Sequence, residues 1–182
     1  MTKVNIEKFR DGIFALRTRR FGNVSEIMVQ RMFKLENSNT LNYDKFDSAT
    51  KDRIEIKFST VMKANNSSIN DSNVVEQILN ANVSQRAIKY SETNKYNFDC
   101  NIQQIKCDEY DILYYGLFFA DKILIFKMTS DETIKCPGYS NKQHRNNEGE
   151  GQFHINNKNI EYHKKKHFIT EINYSELYNL IK

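Results

Sequence analysis

The sequence predicts an α/β fold in which a mixed central β-sheet is flanked by α-helices. Three observations carry this. Residues 53–61 alternate, with Ile54, Ile56 and Phe58 set against Glu55, Lys57 and Ser59, the two-residue period of a strand. Two apolar runs, 112–119 and 123–128, are separated only by Ala120-Asp121-Lys122 and read as a hairpin of central strands. At both ends the apolar spacing is helical: Ile6, Phe9, Ile13 and Leu16 at one, Tyr174, Leu177, Tyr178 and Ile181 at the other.

The elements follow in order. Asn5 is placed to cap the first helix. Arg17-Thr18-Arg19-Arg20 is a basic stretch, and Gly22-Asn23 is expected to break the pattern before a second helix carrying Val24, Ile27, Met28, Arg31 and Leu35. Asn37-Ser38-Asn39 reads as a loop, 41–46 as a strand, 47–51 as a turn and 53–61 as its partner strand. The polar stretch 65–73 reads as a surface loop. A third helix is expected from a cap at Asn73, supported by Glu76, to about Tyr90. Residues 101–106 read as a short strand and 108–110 as a turn, and Gly116 is read as a bulge inside the most apolar strand. From 129 to 167 aliphatic residues thin out and the segment turns basic before the last helix packs back.

With 182 residues and no linker, one domain over 1–182 is expected. Apolar residues at 39% make the chain polar, but 12 Phe and 10 Tyr suffice for a core. One Pro and six Gly exclude a collagen-like or low-complexity chain. Lys and Arg exceed Asp and Glu by 27 to 23, a mild excess that permits a polyanionic partner without forming a basic tail. No stretch approaches the roughly 20 apolar residues of a membrane span, and Met1 to Lys8 lacks the apolar run of a signal peptide. Cys100, Cys107 and Cys136 cannot all pair, so reduced thiols in the cytoplasm are expected; one disulfide with one free thiol is the alternative.

The chemistry concentrates in the 41–61 hairpin. Glu55 and Lys57 lie two apart on one strand and share a face. Asp44, on the neighbouring strand, can come opposite them. Two carboxylates suit a hard oxygen-loving cation such as Mg²⁺. Such a cation polarises a phosphoryl oxygen and acidifies water, and the lysine meets developing negative charge. Hydrolysis of a phosphodiester needs this set. The plain alternative is alternating charge on a solvated strand.

Asp44 to Ala49 running into Glu55-Ile56-Lys57, after an N-terminal helix, resembles the catalytic hairpin of the PD-(D/E)XK nuclease superfamily, and more closely its small dimeric type II restriction endonucleases. Stretches 101–106, 114–119 and 149–154 are similar to ones found in restriction enzymes, so the resemblance touches about residues 23–154. It implies a restriction-endonuclease-like core, with Asp44, Glu55 and the Ile56 carbonyl as metal ligands and Lys57 as the catalytic lysine. Glu26 would be the extra helix-borne acid; it reads equally as a first-turn acid favoured by the helix dipole. Tyr43 stands where the motif has Pro, so Asp47 is kept as an alternative ligand.

The segment 141–152 is dense in side chains that read base edges: Lys142, Gln143, His144, Arg145, Asn146, Glu148 and Gln152. Gly149 and Gly151 allow close backbone approach or a sharp turn. Asn65 and Asn66 are weaker candidates for the same role, and Lys165, within Lys164-Lys165-Lys166, would contact phosphate. Zinc on His163, His167 and Cys136 is a lesser reading, for only one close-spaced pair exists; a ββα-metal nuclease built on His144 or His154 is weaker still. The expected function is therefore Mg²⁺-dependent, sequence-specific cleavage of double-stranded DNA by a homodimer, with a DNA methyltransferase protecting the cell's own sites. The rivals are a structure-specific repair or recombination nuclease and a non-catalytic DNA-binding module. Phe9, Ile13 and Leu16 are a candidate dimer surface, or simply core.

Overall fold

The computed structural model describes residues 5–64, 67–82, 86–142 and 148–182, and the backbone alone of Glu148. Its centre is a six-stranded mixed sheet of order β1-β2-β3-β5-β6-β9: β1 Glu36–Asn37, β2 Lys45–Phe46, β3 Arg53–Thr60, β5 Ile112–Phe118, β6 Ile123–Thr129 and β9 Phe168–Ile172. Only β3 and β5 run parallel; the other neighbours are antiparallel. A second, antiparallel sheet joins β4 Asp99–Ile105, β8 Glu148–Asn156 and β7 Ser140–Lys142 in the order β4-β8-β7.

Both faces of the central sheet are covered, which explains why β5 reads as one apolar run. One face sends Ile54, Ile56, Tyr114 and Phe118 under helices α1 Ile6–Phe14, α2 Thr18–Phe33 and α6 Tyr174–Ile181. The other sends Leu113, Tyr115 and Leu117 against Cys100, Ile102, Phe153 and Ile155 of the second sheet. There two short helices, α4 Ser130–Ile134 and α5 Ile160–His167, also pack, over β6. Arg53 fixes the register of the parallel pair. Its guanidinium donates to both Asp111 oxygens, at 2.9 and 3.0 Å, and its backbone N–H donates to the same carboxylate at 2.8 Å.

The hairpin of central strands, the Asn5 cap and the terminal helices form as expected; Asn5 Oδ1 accepts from the Lys8 N–H at 3.0 Å. Four local expectations are corrected. Gly22-Asn23 does not interrupt α2, which starts at Thr18 and takes in the basic stretch. Burying Phe21 edge-on against Phe118, with Ser25 and Met28 on the same face, outweighs the weak helix propensity of Gly. Residues 41–44 are bent rather than extended, and only Lys45–Phe46 pairs with β3. The third helix, α3 Val74–Leu79, is short and buries none of its residues. The Asn73 side chain accepts from the Asn70 N–H instead of capping it. Finally, β5 runs through Gly116 without a bulge. A Cβ at 116 would overlap the Leu124 carbonyl and the Phe58 ring, so close packing is what demands glycine.

The stripe read as a dimer surface is spent inside the chain. Ile13 is buried and the Phe9 ring meets Tyr178 of α6 edge-on at 5.4 Å. The three cysteines are free thiols, Cys100 and Cys136 being buried. No helix among the described residues is long and apolar enough to cross a membrane. His163 and His167 lie side by side in an aromatic nest, but no three His, Cys, Asp or Glu side chains among the described residues come together for a metal. His163 stacks on Phe153, bonds the Tyr115 hydroxyl at 2.9 Å and leaves Nε2 without a partner.

Burial presses the His163 pKa down to about 4, with neighbouring His167 adding to the shift. The unfolded chain therefore binds this proton first as pH falls. Stability should be flat above pH 6.5, then drop by about 1 kcal/mol at pH 5.5 and about 3 kcal/mol near pH 4 from this residue. Urea unfolding against pH measures it, and His163→Phe should remove that part of the acid limb. A second expectation concerns Gly116→Ala, which should cost about 1–3 kcal/mol or more by overpacking.

Candidate active site

β2 pairs with β3 only at Lys45 opposite Ile54 and Phe46 opposite Arg53. Asp44 stands where the two strands part. Its N–H donates to the Ile54 carbonyl at 3.0 Å, and its carboxylate turns back to accept from the Ile56 N–H at 2.8 Å. A side chain thus makes the last rung of the ladder, and the edge of β3 beyond it has no strand partner among the described residues. The N–H and C=O of one strand residue point to the same edge, so the Ile56 carbonyl shares the open edge with Asp44.

Glu55 and Lys57 project together from the other side of β3, as their spacing requires. Lys57 Nζ bonds Glu55 Oε1 and lies 3.8 Å from Asp44 Oδ2. Glu55 is 8% exposed. Burial pushes its pKa up to about 7; Lys57 pulls the other way and Asp44 adds to the rise. Burial works against the Lys57 ammonium too, but Glu55 and Asp44 outweigh it and hold its pKa above the ordinary value. Glu26, from the middle of α2, has its pKa raised by burial and then by the charge of Asp44. It is not a first-turn acid, because α2 begins eight residues earlier, at Thr18. Lys45, the other cation nearby, is tied to Asn37 Oδ1 at 3.0 Å.

Three carboxyl groups thus face Lys57, and the raised Glu55 and Glu26 pKa values express a desolvation penalty on their negative charge, to which Asp44 adds. A divalent cation would relieve it. The oxygen donors available are Asp44, Glu55 and the Ile56 carbonyl. Glu26 does not complete a three-carboxylate cage, since no such group forms among the described residues. Two carboxylates and a carbonyl suit Mg²⁺, which keeps several of its waters. Asp47, the alternative ligand, is occupied in the turn, accepting from the Ala49 and Thr50 N–H groups.

The site opens into a cleft of about 860 Å³. The free edge of β3 forms its floor. The first half of α2, with Arg19 and Glu26, forms one wall, and Asn101, Gln103 and Gln104 of β4 form the other. Sequence reasoning missed Arg19 and these amides. Arg19 was hidden by the misplaced start of α2, and the amides belong to a strand whose sheet the sequence did not reveal.

The other candidates scatter. Lys142 is exposed at the end of β7, and Gln152 lies on β8 beside Asn101. Lys165 is exposed on α5, which packs on β6 and β9 and does not line the cleft. His154 pairs with Asp99 at 3.0 Å. Asn65, Asn66, Gln143, His144, Arg145 and Asn146, and the side chain of Glu148, lie outside the described residues. Comparison with protein-family models, curated proteins and solved structures finds no match to this chain.

Cation binding should follow the Glu55 proton. Calorimetric affinity for Mg²⁺ or Mn²⁺ is expected to weaken about tenfold per pH unit below pH 7 and to level off above it, because a ligand must be deprotonated to bind. Glu55→Gln should abolish both the binding and its pH dependence.

Proposed function

We propose that this chain is a type II restriction endonuclease of the PD-(D/E)XK superfamily, with a restriction-endonuclease-like core, acting in the cytoplasm on double-stranded DNA with Mg²⁺. The observation that carries the reading is the fixed placement of Asp44 on the Ile56 N–H, with Lys57 touching Glu55 and lying near Asp44 at the mouth of a cleft. Solvated surface charge would not be anchored to backbone, half-buried and perturbed in pKa together. Free thiols support the compartment.

A bound Mg²⁺ would polarise the scissile phosphoryl group and acidify the attacking water. The chain's own residues supply the rest. Asp44 cannot swing away, since the Ile56 N–H holds its oxygen. Glu55 is preorganised by burial. Lys57 stays protonated and can donate to the phosphoryl oxygen as the P–O bond to the leaving group breaks and charge develops. Arg19 stands across the cleft, where a neighbouring phosphate would run. Cutting both strands of a palindrome calls for two such centres about a two-fold axis, hence a homodimer. A cognate methyltransferase would protect host sites without binding this chain.

Lys57→Ala should leave duplex binding nearly intact and lower kcat by on the order of 10²–10³-fold, the loss expected when a transition-state donor is removed. Asp44→Ala should abolish cleavage, and Asp47→Ala should spare it. Ca²⁺ should support binding without turnover. Incubation of plain duplex DNA with Mg²⁺, followed by sequencing of the fragment ends, checks cleavage, and duplex binding measured in Ca²⁺ checks affinity. Cleavage of branched but not plain duplex would replace this reading with a structure-specific nuclease. Retained cleavage after Asp44, Glu55 and Lys57 are all changed to Ala would end the nuclease reading.

A further inference from the structure

The wall of the cleft opposite α2 is a strand face built of side-chain amides. β4 and β8 pair with Asn101 opposite His154 and Gln103 opposite Gln152. The inward face of this ribbon holds Cys100, Ile102, Phe153 and Ile155 in the core. The outward face carries Asn101, Gln103 and Gln152. Asn101 Nδ2 donates to Gln152 Oε1 at 2.9 Å and to Gln103 Oε1 at 3.3 Å. Asn101 Oδ1 is left buried with no partner. Through its Nδ2 group Asn101 ties the Gln103 and Gln152 amides into one polar face.

The backbone adds a second, independent sign. The β4 register shifts between Gln103 and Ile105, and Gln104 at that bulge has φ 60°. A side chain in the left-handed region is strained, and such strain concentrates at functional sites. The bulge keeps Ile102 and Ile105, three positions apart, both in the core and leaves Gln104 exposed between them. What the bulge achieves is to bring Gln103 and Gln104 to the same cleft wall, where strict alternation would send one of them inward.

Polar side chains presented from an edge strand such as β4 can reach base edges in the DNA major groove, and an Asn or Gln amide, one donor beside one acceptor, matches adenine N6 and N7. We propose that Gln103 and Gln104 are specificity-determining residues that read adenine in the major groove beside the scissile phosphate. This inference rests on the nuclease reading above. It places sequence readout on the β4–β8 ribbon, within the same cleft as Lys57.

The test offers a randomised duplex library to the full chain. Bound DNA is recovered and sequenced in Ca²⁺, and cut ends are sequenced in Mg²⁺. The wild type should enrich a motif containing A·T pairs. Gln103→Leu and Gln104→Leu should each lower the preference at one A·T position by about 5- to 150-fold, the value of a bidentate amide–adenine pair. Preferences at the other positions should stay in place. Gln104 is exposed, so its variant keeps the test decisive if Gln103→Leu fails to fold. An enriched motif made only of G·C pairs, or variants that keep every preference within about twofold, would overturn the inference while leaving the nuclease reading standing. A wild type that neither enriches nor cuts any duplex would overturn both.

Discussion

The site depends on one interaction: the Asp44 carboxylate occupying the Ile56 N–H, where a neighbouring strand would otherwise bond. An open strand edge is normally a liability, a row of unpaired groups inviting association. Here β2 peels away after two residue pairs, and the freed edge is not left bare. Its first donor is taken by a carboxylate, and the rest becomes the floor of a cleft. Because that carboxylate is held by backbone at 2.8 Å, its position is as rigid as the sheet itself. A site assembled on loops would lack this precision.

Rigidity in turn requires a well-anchored β3. Its start is clamped to β5 by Arg53 and Asp111, and its body is buried on one face by Ile54 and Ile56 beneath the helices. The same alternation that buries those two turns Glu55 and Lys57 to the opposite side, toward the second sheet. Residues that build the core and residues that bear charge are therefore interleaved one by one. Shifting the register by a single position would bury the ammonium under α2 and expose an isoleucine to the cleft.

Electrostatically the site is set up and incomplete. Glu55 is removed from water, and even contact with Lys57 does not restore its ordinary acidity. The fold tolerates this cost because the core beneath the sheet is extensive and aromatic, with Tyr115, Phe126, Phe153 and His163 packed ring against ring. Stability resides in the nest over β5 and β6, while the unfavourable charge sits at the edge of β3. Perturbed ionisable groups at the edge of a well-packed core are a division common at functional sites.

Local pattern was enough to identify the sheet's central strands, the capped first helix and the Asp44, Glu55, Lys57 set. Each of these rests on short-range facts: a two-residue period, an Asn before an apolar helix, a hairpin that brings position 44 near position 55. The sequence by itself did not determine where α2 begins, because Gly22-Asn23 is overridden by burial of Phe21 against a phenylalanine 97 positions away. Nor did it separate Asp44 from Asp47. Both are near the right spacing, and only the backbone partners, the Ile56 N–H for one and the Ala49 and Thr50 N–H groups for the other, tell them apart. The amide wall was equally hidden, since Asn101 and Gln152 are 51 residues apart and meet only because β4 and β8 form a sheet of their own. Periodicity and spacing are properties of neighbouring residues, so the sequence could declare them. The end of a helix, the choice between two carboxylates and the wall of a cleft are settled by packing and hydrogen bonding between distant segments, which only the tertiary structure brings together.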